Sequence, residues 1–307
     1  MSNLRDMIDE VLINIAGYTF QQDRSTYLTD NVSTTTSTIA SPTILSLGST
    51  ESVGKGIIEI GEELLWVDSY DRIANTATIP PYGRGYLGST ATTHLSESKV
   101  TISPTFPRFS IKRAIDDTIK SLGASIYAVK STTFTYNAAV STYAFNNLDI
   151  SNILSMTWQS IGPSREWIPI RRWDFDSLAS TSAFGANSQT VTLGQEIISG
   201  RTVKVVYATN PTPFGVDYST EYTAKTGLPE STRDLVILGT VYRLITYLDP
   251  ARASQVSPQA DETDSKRPYG ASQSAVKQLY ALYTQRLSEE VQSQQQNFPP
   301  KVHYSRR

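Results

Sequence analysis

The feature that most constrains this chain is the order in which the period of its apolar residues changes. Leu4, Met7, Ile8, Val11, Leu12 and Ile15 recur at spacings of three and four, which lays one apolar stripe along a helix. From Val32 to Ser103 the pattern shortens to strand-like runs such as Gly56-Ile57-Ile58-Glu59-Ile60-Gly61 and Glu63-Leu64-Leu65-Trp66-Val67. Helical spacing returns at Ile111, Ala114, Ile115, Thr118, Ile119 and Leu122 behind Pro107. A second β-rich stretch from about Ser131 to Asn210 carries Phe134, Tyr143, Trp158, Trp167, Trp173 and Val205 among its strand formers.

Two more helices follow. One begins near Pro229 and is apolar almost all round, through Leu235, Val236, Leu238, Val241, Tyr242, Ile245, Tyr247 and Leu248. Asp249-Pro250 stops it, and Arg252 to Ala271 reads as a polar connector. The last helix shows Val276, Leu279, Tyr280, Tyr283, Leu287 and Val291 on one face.

Read as geometry, this order predicts an α+β fold: a four-helix-bundle core with two β-rich insertion subdomains and an extended C-terminal arm. The expected parts are bundle helix 1 at residues 1–30, a small sheet or partial barrel at 31–104, bundle helix 2 at 105–130, and a sandwich-like insertion at 131–228. Bundle helices 3 and 4 occupy 229–296 and the arm 297–307. Leu235, Leu238, Tyr242, Ile245, Leu279, Tyr283 and Leu287 are the candidates for packing between subunits.

Composition narrows the chemistry. The chain has no cysteine and only two histidines, which leaves thiolate and imidazole metal sites without a ligand supply. No metal or cofactor is expected. Lys plus Arg number 27 against 29 Asp plus Glu, so at a net charge of -2 no bulk basic field exists to hold nucleic acid through its phosphates. The start, Met1-Ser2-Asn3-Leu4-Arg5-Asp6, lacks the basic and apolar order of a signal peptide. No run reaches the roughly 20 apolar residues of a membrane span, so a soluble protein folded in cytoplasm is expected.

Candidate catalytic groups each meet a simpler reading. A Ser/His/Asp triad would need His94 or His303 as base, and no Gly-x-Ser-x-Gly elbow is present. Glu62-Glu63 and Asp116-Asp117 are adjacent acids: on a strand such a pair points to opposite faces, and Asp116-Asp117 reads as the solvated side of a helix. Asp261-Glu262-Thr263-Asp264 lacks the glycine and distal glutamate of a calcium loop. Gly83-Arg84-Gly85-Tyr86-Leu87-Gly88-Ser89-Thr90 resembles a phosphate cradle but has no Gly-Lys-Ser/Thr ending, and its glycines read as turn formers. Arg165, Trp167, Arg171, Arg172 and Trp173 join cations to aromatic rings, which suits stacking on bases or sugars, or a packed core with basic rims. Catalysis is therefore not expected.

Gly56 to Val67, then Arg84-Gly85-Tyr86-Leu87-Gly88-Ser89-Thr90-Ala91-Thr92-Thr93-His94, then Phe106-Pro107-Arg108-Phe109-Ser110-Ile111-Lys112-Arg113-Ala114-Ile115 together resemble a virion structural protein of tailed bacteriophages. With the terminal helices and the Phe298-Pro299-Pro300 tail, the chain is similar to the head-to-tail adaptor, or neck, family. That resemblance implies a dodecameric ring of helical bundles with β-rich insertions, docked under the portal by C-terminal arms and receiving the tail or nozzle below. Genomic DNA would pass through its lumen without sequence-specific binding, and the protein would lie at the head-tail interface of the virion after assembly in host cytoplasm. The arm residues implied to contact the portal are Phe298, Pro299, Pro300, Lys301, Val302, His303, Tyr304, Arg306 and Arg307. A receptor- or carbohydrate-binding tail or baseplate protein is the alternative, and a hydrolase acting through His94 is a third.

Overall fold

In a computed structural model, residues 2–16, 23–34, 41–145, 149–161, 165–179, 184, 189–246 and 271–298 are described. Among the described residues, fourteen strands form four antiparallel sheets. Only 31% of the described residues are helical, so the expected four-helix-bundle core is overturned and the fold is β-rich. The reason is physical. An apolar stripe at helical spacing shows that one face of a helix is covered, but not whether helices or sheets cover it. Among the described residues, two apolar clusters lie within β structure and include none of the helical stripes, so the β modules carry cores of their own.

The chain divides into two compact units, residues 5–115 with 237–280, and residues 1–4, 116–236 and 281–307. In the first, the strands are β1 (Arg24–Tyr27), β2 (Thr43–Ser46), β3 (Gly56–Ile60), β4 (Glu63–Val67), β5 (Ser69–Asp71), β6 (Thr76–Ile79) and β7 (Lys99–Ile102). They pair as β1-β7-β3-β4 and β2-β6-β5. The Leu28–Leu47 bridge and the bond from Thr29 N–H to Ser46 O carry β1 across to β2, while Asp68 N–H donates to Thr78 O where β4 passes into β5. These links complete a circuit, and a closed sheet leaves few backbone groups at open edges. Leu28, Leu45, Ile58, Ile60, Leu65, Val67, Ala77, Ile79 and Val100 fill its interior.

The second unit holds β8 (Ala128–Thr135), β9 (Thr142–Phe145), β10 (Asn152–Gln159), β11 (Trp167–Pro169), β12 (Trp173–Asp176), β13 (Gln189–Leu193) and β14 (Thr202–Thr209). Sheets ordered β11-β10-β14-β8 and β12-β13-β9 share a core of Phe145, Ile153, Met156, Ile170, Val191, Val203, Val205 and Tyr207. Two side-chain amides stand in for missing strand partners: Gln189 bonds both N–H and C=O of Ile150, and Gln294 does the same at Tyr127.

The helices are α1 (Leu4–Ala16), α2 (Arg108–Leu122), the short α3 (Tyr222–Thr226), α4 (Arg233–Thr246) and α5 (Ala271–Asn297). Their apolar stripes are buried as spacing predicts: Leu4, Met7, Ile8, Val11 and Ile15 on α1, and Ile111, Ile115, Ile119 and Leu122 on α2. The expected stop at Asp249-Pro250 and the connector up to Gly270 lie outside the described residues. One acid departs from expectation. Asp116 is buried and its carboxylate accepts from the amides of Phe214 (2.8 Å) and Gly215 (3.2 Å), whereas its neighbour Asp117 is solvated beside Lys120. A loop that returns from 98 residues away supplies those donors, so helical spacing alone cannot reveal the pairing.

In the barrel unit, the start of α2 is fastened by charge. Glu59 on β3 accepts the Arg108 amide at 2.6 Å, and the Arg108 side chain reaches Asp9 at 2.5 Å and Glu62 at 3.3 Å. Burial pushes the Glu59 carboxyl up from 4.5 to about 7, outweighing the pull of the Arg108 amide and charge. A folded pKa raised above the unfolded one favours folding below pH 4.5, and that contribution is lost as pH rises through about 7. The shift corresponds to roughly 3 kcal/mol. Urea denaturation at pH 5 and pH 8 is therefore expected to show wild-type stability falling by about 2–3 kcal/mol from this group. Glu59→Gln, which still accepts the amide bond, should abolish that part of the fall; an unchanged pH slope in the variant contradicts the assignment.

Candidate functional site

The β3–β4 hairpin turns at Gly61, whose φ of 59° suits a residue without a side chain. Its pairing puts Ile60 opposite Glu63 and Ile58 opposite Leu65. Because strand side chains alternate, Glu63 projects to the same side as Leu65 and Val67, toward the barrel interior. A carboxylate there is fully buried, at 0% exposure. Ionised and unpaired it would be prohibitive.

Five donors answer it. The Arg84 guanidinium binds in bidentate fashion, Nε to Oε1 at 2.7 Å and Nη2 to Oε2 at 3.0 Å. Gly85 N–H donates to Oε1, and Thr92 N–H to Oε2, each at 3.0 Å. His94 Nε2 lies 2.8 Å from Oε2 and must carry the hydrogen, since an ionised carboxylate only accepts. Burial opposes ionisation, but the bonds from His94, Arg84, Thr92 and Gly85 outweigh it and hold the Glu63 carboxyl down at about 2.

The same donors knit distant segments together. Arg84 also donates to the carbonyls of Ser33 (2.7 Å) and Thr92 (2.8 Å), and His94 exchanges backbone bonds with Val32 in both directions. Along the edge of β4, Trp66 N–H donates to Gly83 O and Leu64 N–H to Ser89 Oγ, so the 83–89 loop covers backbone that β3 leaves unpaired. Tyr86 packs on Trp66 with ring centroids 5.3 Å apart. Gly83 is required by space: a Cβ there would lie 2.8 Å from the Trp66 carbonyl and 2.7 Å from Ile79.

This arrangement has the components of a His-carboxylate dyad but not its geometry. In a proton relay, one imidazole nitrogen faces the carboxylate and the other faces the nucleophile. Here Thr92 Oγ1, at 3.5 Å, faces the same Nε2 that donates to Glu63. The nitrogen cannot take a proton from the hydroxyl while it holds one on the carboxylate. What the cluster does chemically is fix the loop.

The other sequence candidates separate. Glu62 and Glu63 do point apart, Glu62 toward Arg108 and Arg5. Gly85 and Gly88 adopt φ of 58° and 86° in tight turns. Trp173 packs against the sandwich core, whereas Trp167 on edge strand β11 is 43% exposed beneath Lys204 Nζ. Of the packing candidates, Leu235, Ile245, Leu279 and Tyr283 are buried within the chain, while Leu238, Tyr242 and Leu287 are half-buried. Tyr242 meets Tyr280 edge to face at 5.6 Å. In the arm, Phe298 is half-buried and its amide closes the last turn of α5 on Gln294 O. Pro299, Pro300, Lys301, Val302, His303, Tyr304, Arg306 and Arg307 lie outside the described residues.

In the sequence, Glu63, Arg84 and His94 stand as three unrelated candidates. The available signal was parity: Glu63 occupies a core position of an otherwise apolar strand, two residues from Leu65 and four from Val67, and a charge there needs a partner. No protein-family model matches the chain, and no curated protein matches it.

Stability should report this cluster directly. Arg84→Met leaves a buried carboxylate without its main partner and is expected to cost about 3–5 kcal/mol in chemical denaturation, with Glu63→Leu/Arg84→Met recovering most of the loss. Because the folded pKa of Glu63 is depressed, its contribution is present above pH 4.5 and lost as pH falls through about 2. A cost near zero for Arg84→Met contradicts the assignment.

Proposed function

We propose that this chain is a structural virion protein, a subunit of the head-to-tail adaptor ring that connects the portal to the tail and provides a channel for DNA. The observation that supports this most is the use made of the residues that carry the resemblance. Gly56 to Val67 and Arg84 to His94 meet in one buried cluster whose ionisable groups are consumed in holding a surface loop, and Arg108 is fastened to the same hairpin. Such chemistry suits a part whose work is to keep a shape under load. The ring wall in this proposal is built mainly from β modules, with helices between them.

The proposed ring is a dodecamer with the portal on one side and a tail or nozzle protein on the other, in the virion after assembly in host cytoplasm. DNA is confined and not read, consistent with a net charge of -2. The arm from Phe298 to Arg307 is assigned to the portal, where Phe298, Pro299, Pro300, Val302 and Tyr304 would anchor it and Lys301, Arg306 and Arg307 would steer it. Among the described residues, no helix is long and apolar enough to cross a membrane.

One observation favours a second reading, a receptor- or carbohydrate-binding tail or baseplate protein. Trp167 is half-exposed on a sheet edge, and Pro169, Thr157, Lys204 and Thr133 line up across the same face by register. An aromatic ring beside hydroxyl groups is a common sugar platform.

Mass measurement of the full chain mixed with purified portal separates the two. The connector reading expects a ring-sized complex, and loss of portal binding when residues 299–307 are removed. A full-length chain that ignores the portal, yet binds a glycan array in a manner abolished by Trp167→Ala, contradicts it.

A further inference from the structure

Strand β8 ends its sheet, and its outer edge is open. Tyr136 N–H donates to Arg201 O and Gly200 N–H donates to Tyr136 O, which sets the parity of the ladder. With Thr135 opposite Thr202, it is Ala128, Lys130, Thr132 and Phe134 that exchange bonds with β14. The N–H and C=O groups of Val129, Ser131, Thr133 and Thr135 therefore point away from the sheet. Among the described residues, no second strand and no hydrogen bond reaches those groups.

The opposite edge of the same sheet is guarded. β11 is three residues long, and because Ile170 N–H donates to Met156 O, Trp167 and Pro169 are the residues that face outward there. Pro169 has no N–H to offer a further strand. β8 carries no such device. It runs eight residues, Ala-Val-Lys-Ser-Thr-Thr-Phe-Thr, without proline or glycine. Its one charge, Lys130, shares the side of Thr132 and Phe134 and lays its stem beside Gly227. A long edge of β-branched residues is a template for another strand.

The pairing has already begun at one end. Tyr127 has the same outward parity, and Gln294 of α5 fills it: Nε2 donates to Tyr127 O at 2.7 Å, and Oε1 accepts Tyr127 N–H at 3.2 Å. One turn later the chain leaves α5 at Phe298, whose amide donates to Gln294 O. Residues 299–307 follow in the sequence. Extended at about 3.3 Å per residue, they span roughly 30 Å, against roughly 26 Å for β8. Val302 and Tyr304 share one parity, so an extended arm sets both on one face, as Phe134 and Tyr136 are set along β8.

We propose that the outer edge of β8 is the berth of the chain's own C-terminal arm, with residues 301–307 adding as a strand from the Tyr127 end. The added strand is parallel to β8, because α5 delivers the arm where β8 starts. β8 offers no acid to Lys301, Arg306 and Arg307, so the affinity rests on main-chain bonds. Tethering at Phe298 holds the arm at an effective concentration of about a millimolar without any further contact. Parallel pairing is the weaker kind per residue, which keeps the arm exchangeable. While seated, the arm is withheld from every other partner, and the berth competes with the portal contact assigned to it above. The inference stands on the sandwich alone and does not need the ring reading.

The test is amide hydrogen exchange, read residue by residue by NMR, in three chains. These are the wild type, a chain lacking residues 299–307, and the full-length Val302→Pro/His303→Pro variant, which removes one arm amide of each parity and leaves the sandwich untouched. In the wild type, the Ser131 and Thr133 amides should exchange roughly tenfold or more slowly than in either variant, while Thr132 and Phe134, bonded to β14, exchange alike in all three. Ser131 and Thr133 amides that exchange as fast in the wild type as in the variants overturn the berth. Protection that survives in both variants also overturns it, and its loss on dilution assigns the edge to a second copy of the chain. No readout involves the portal, so failure of the portal reading leaves each of them unchanged.

Discussion

Glu63 places a full negative charge inside a barrel otherwise filled with leucine, isoleucine and valine. Moving such a group out of water costs several kcal/mol even after relaxation, and the attraction of one cation repays it only with near-ideal geometry. The geometry here meets that demand through a bidentate guanidinium, two backbone amides and an imidazole, all within 3.0 Å. None of these donors comes from the neighbouring strands of the sheet. They arrive from residues 84, 85, 92 and 94, so the charge is satisfied only when that entire segment is in place.

The consequence is specificity of conformation more than net stability. A hydrophobic residue at the same position would pack without asking anything of the loop. The carboxylate makes every alternative path of residues 84–94 leave it unpaired, which penalises those paths by several kcal/mol. In the second unit, Asp116 plays a comparable part on a smaller scale by fixing the turn at Phe214-Gly215. The proposed function depends on this, since a connector must hold its shape.

Much of the local structure was legible in the residues. Periodicity marks α1, α2, α4 and α5, alternation marks β3 and β4, and Gly83-Arg84-Gly85 carries turn chemistry in its residues alone. The architecture was not legible, because the buried faces of Ile111, Ile115 and Leu235 report coverage without naming what covers them. Nor was the site. Glu63, Arg84 and His94 are separated by 21 and 31 residues from the carboxylate to its partners, and no local rule pairs them. The same distance effect hid the partner of Asp116. Trp167 and Trp173 look alike in sequence and both fall on edge strands, yet Trp173 turns its ring onto the sandwich core and Trp167 leaves its ring 43% exposed.

The most direct measurement of the central claim is the titration of the Glu63 side-chain carboxyl by carbon NMR, resolved from Glu59 by substitution of either residue. A carboxylate locked by five donors should show no change in its chemical shift from pH 8 down past pH 4, with a midpoint near or below about 2. A midpoint at the ordinary value of 4.5 or above would mean that the charge is not buried and paired as described, and that the loop above it is not locked.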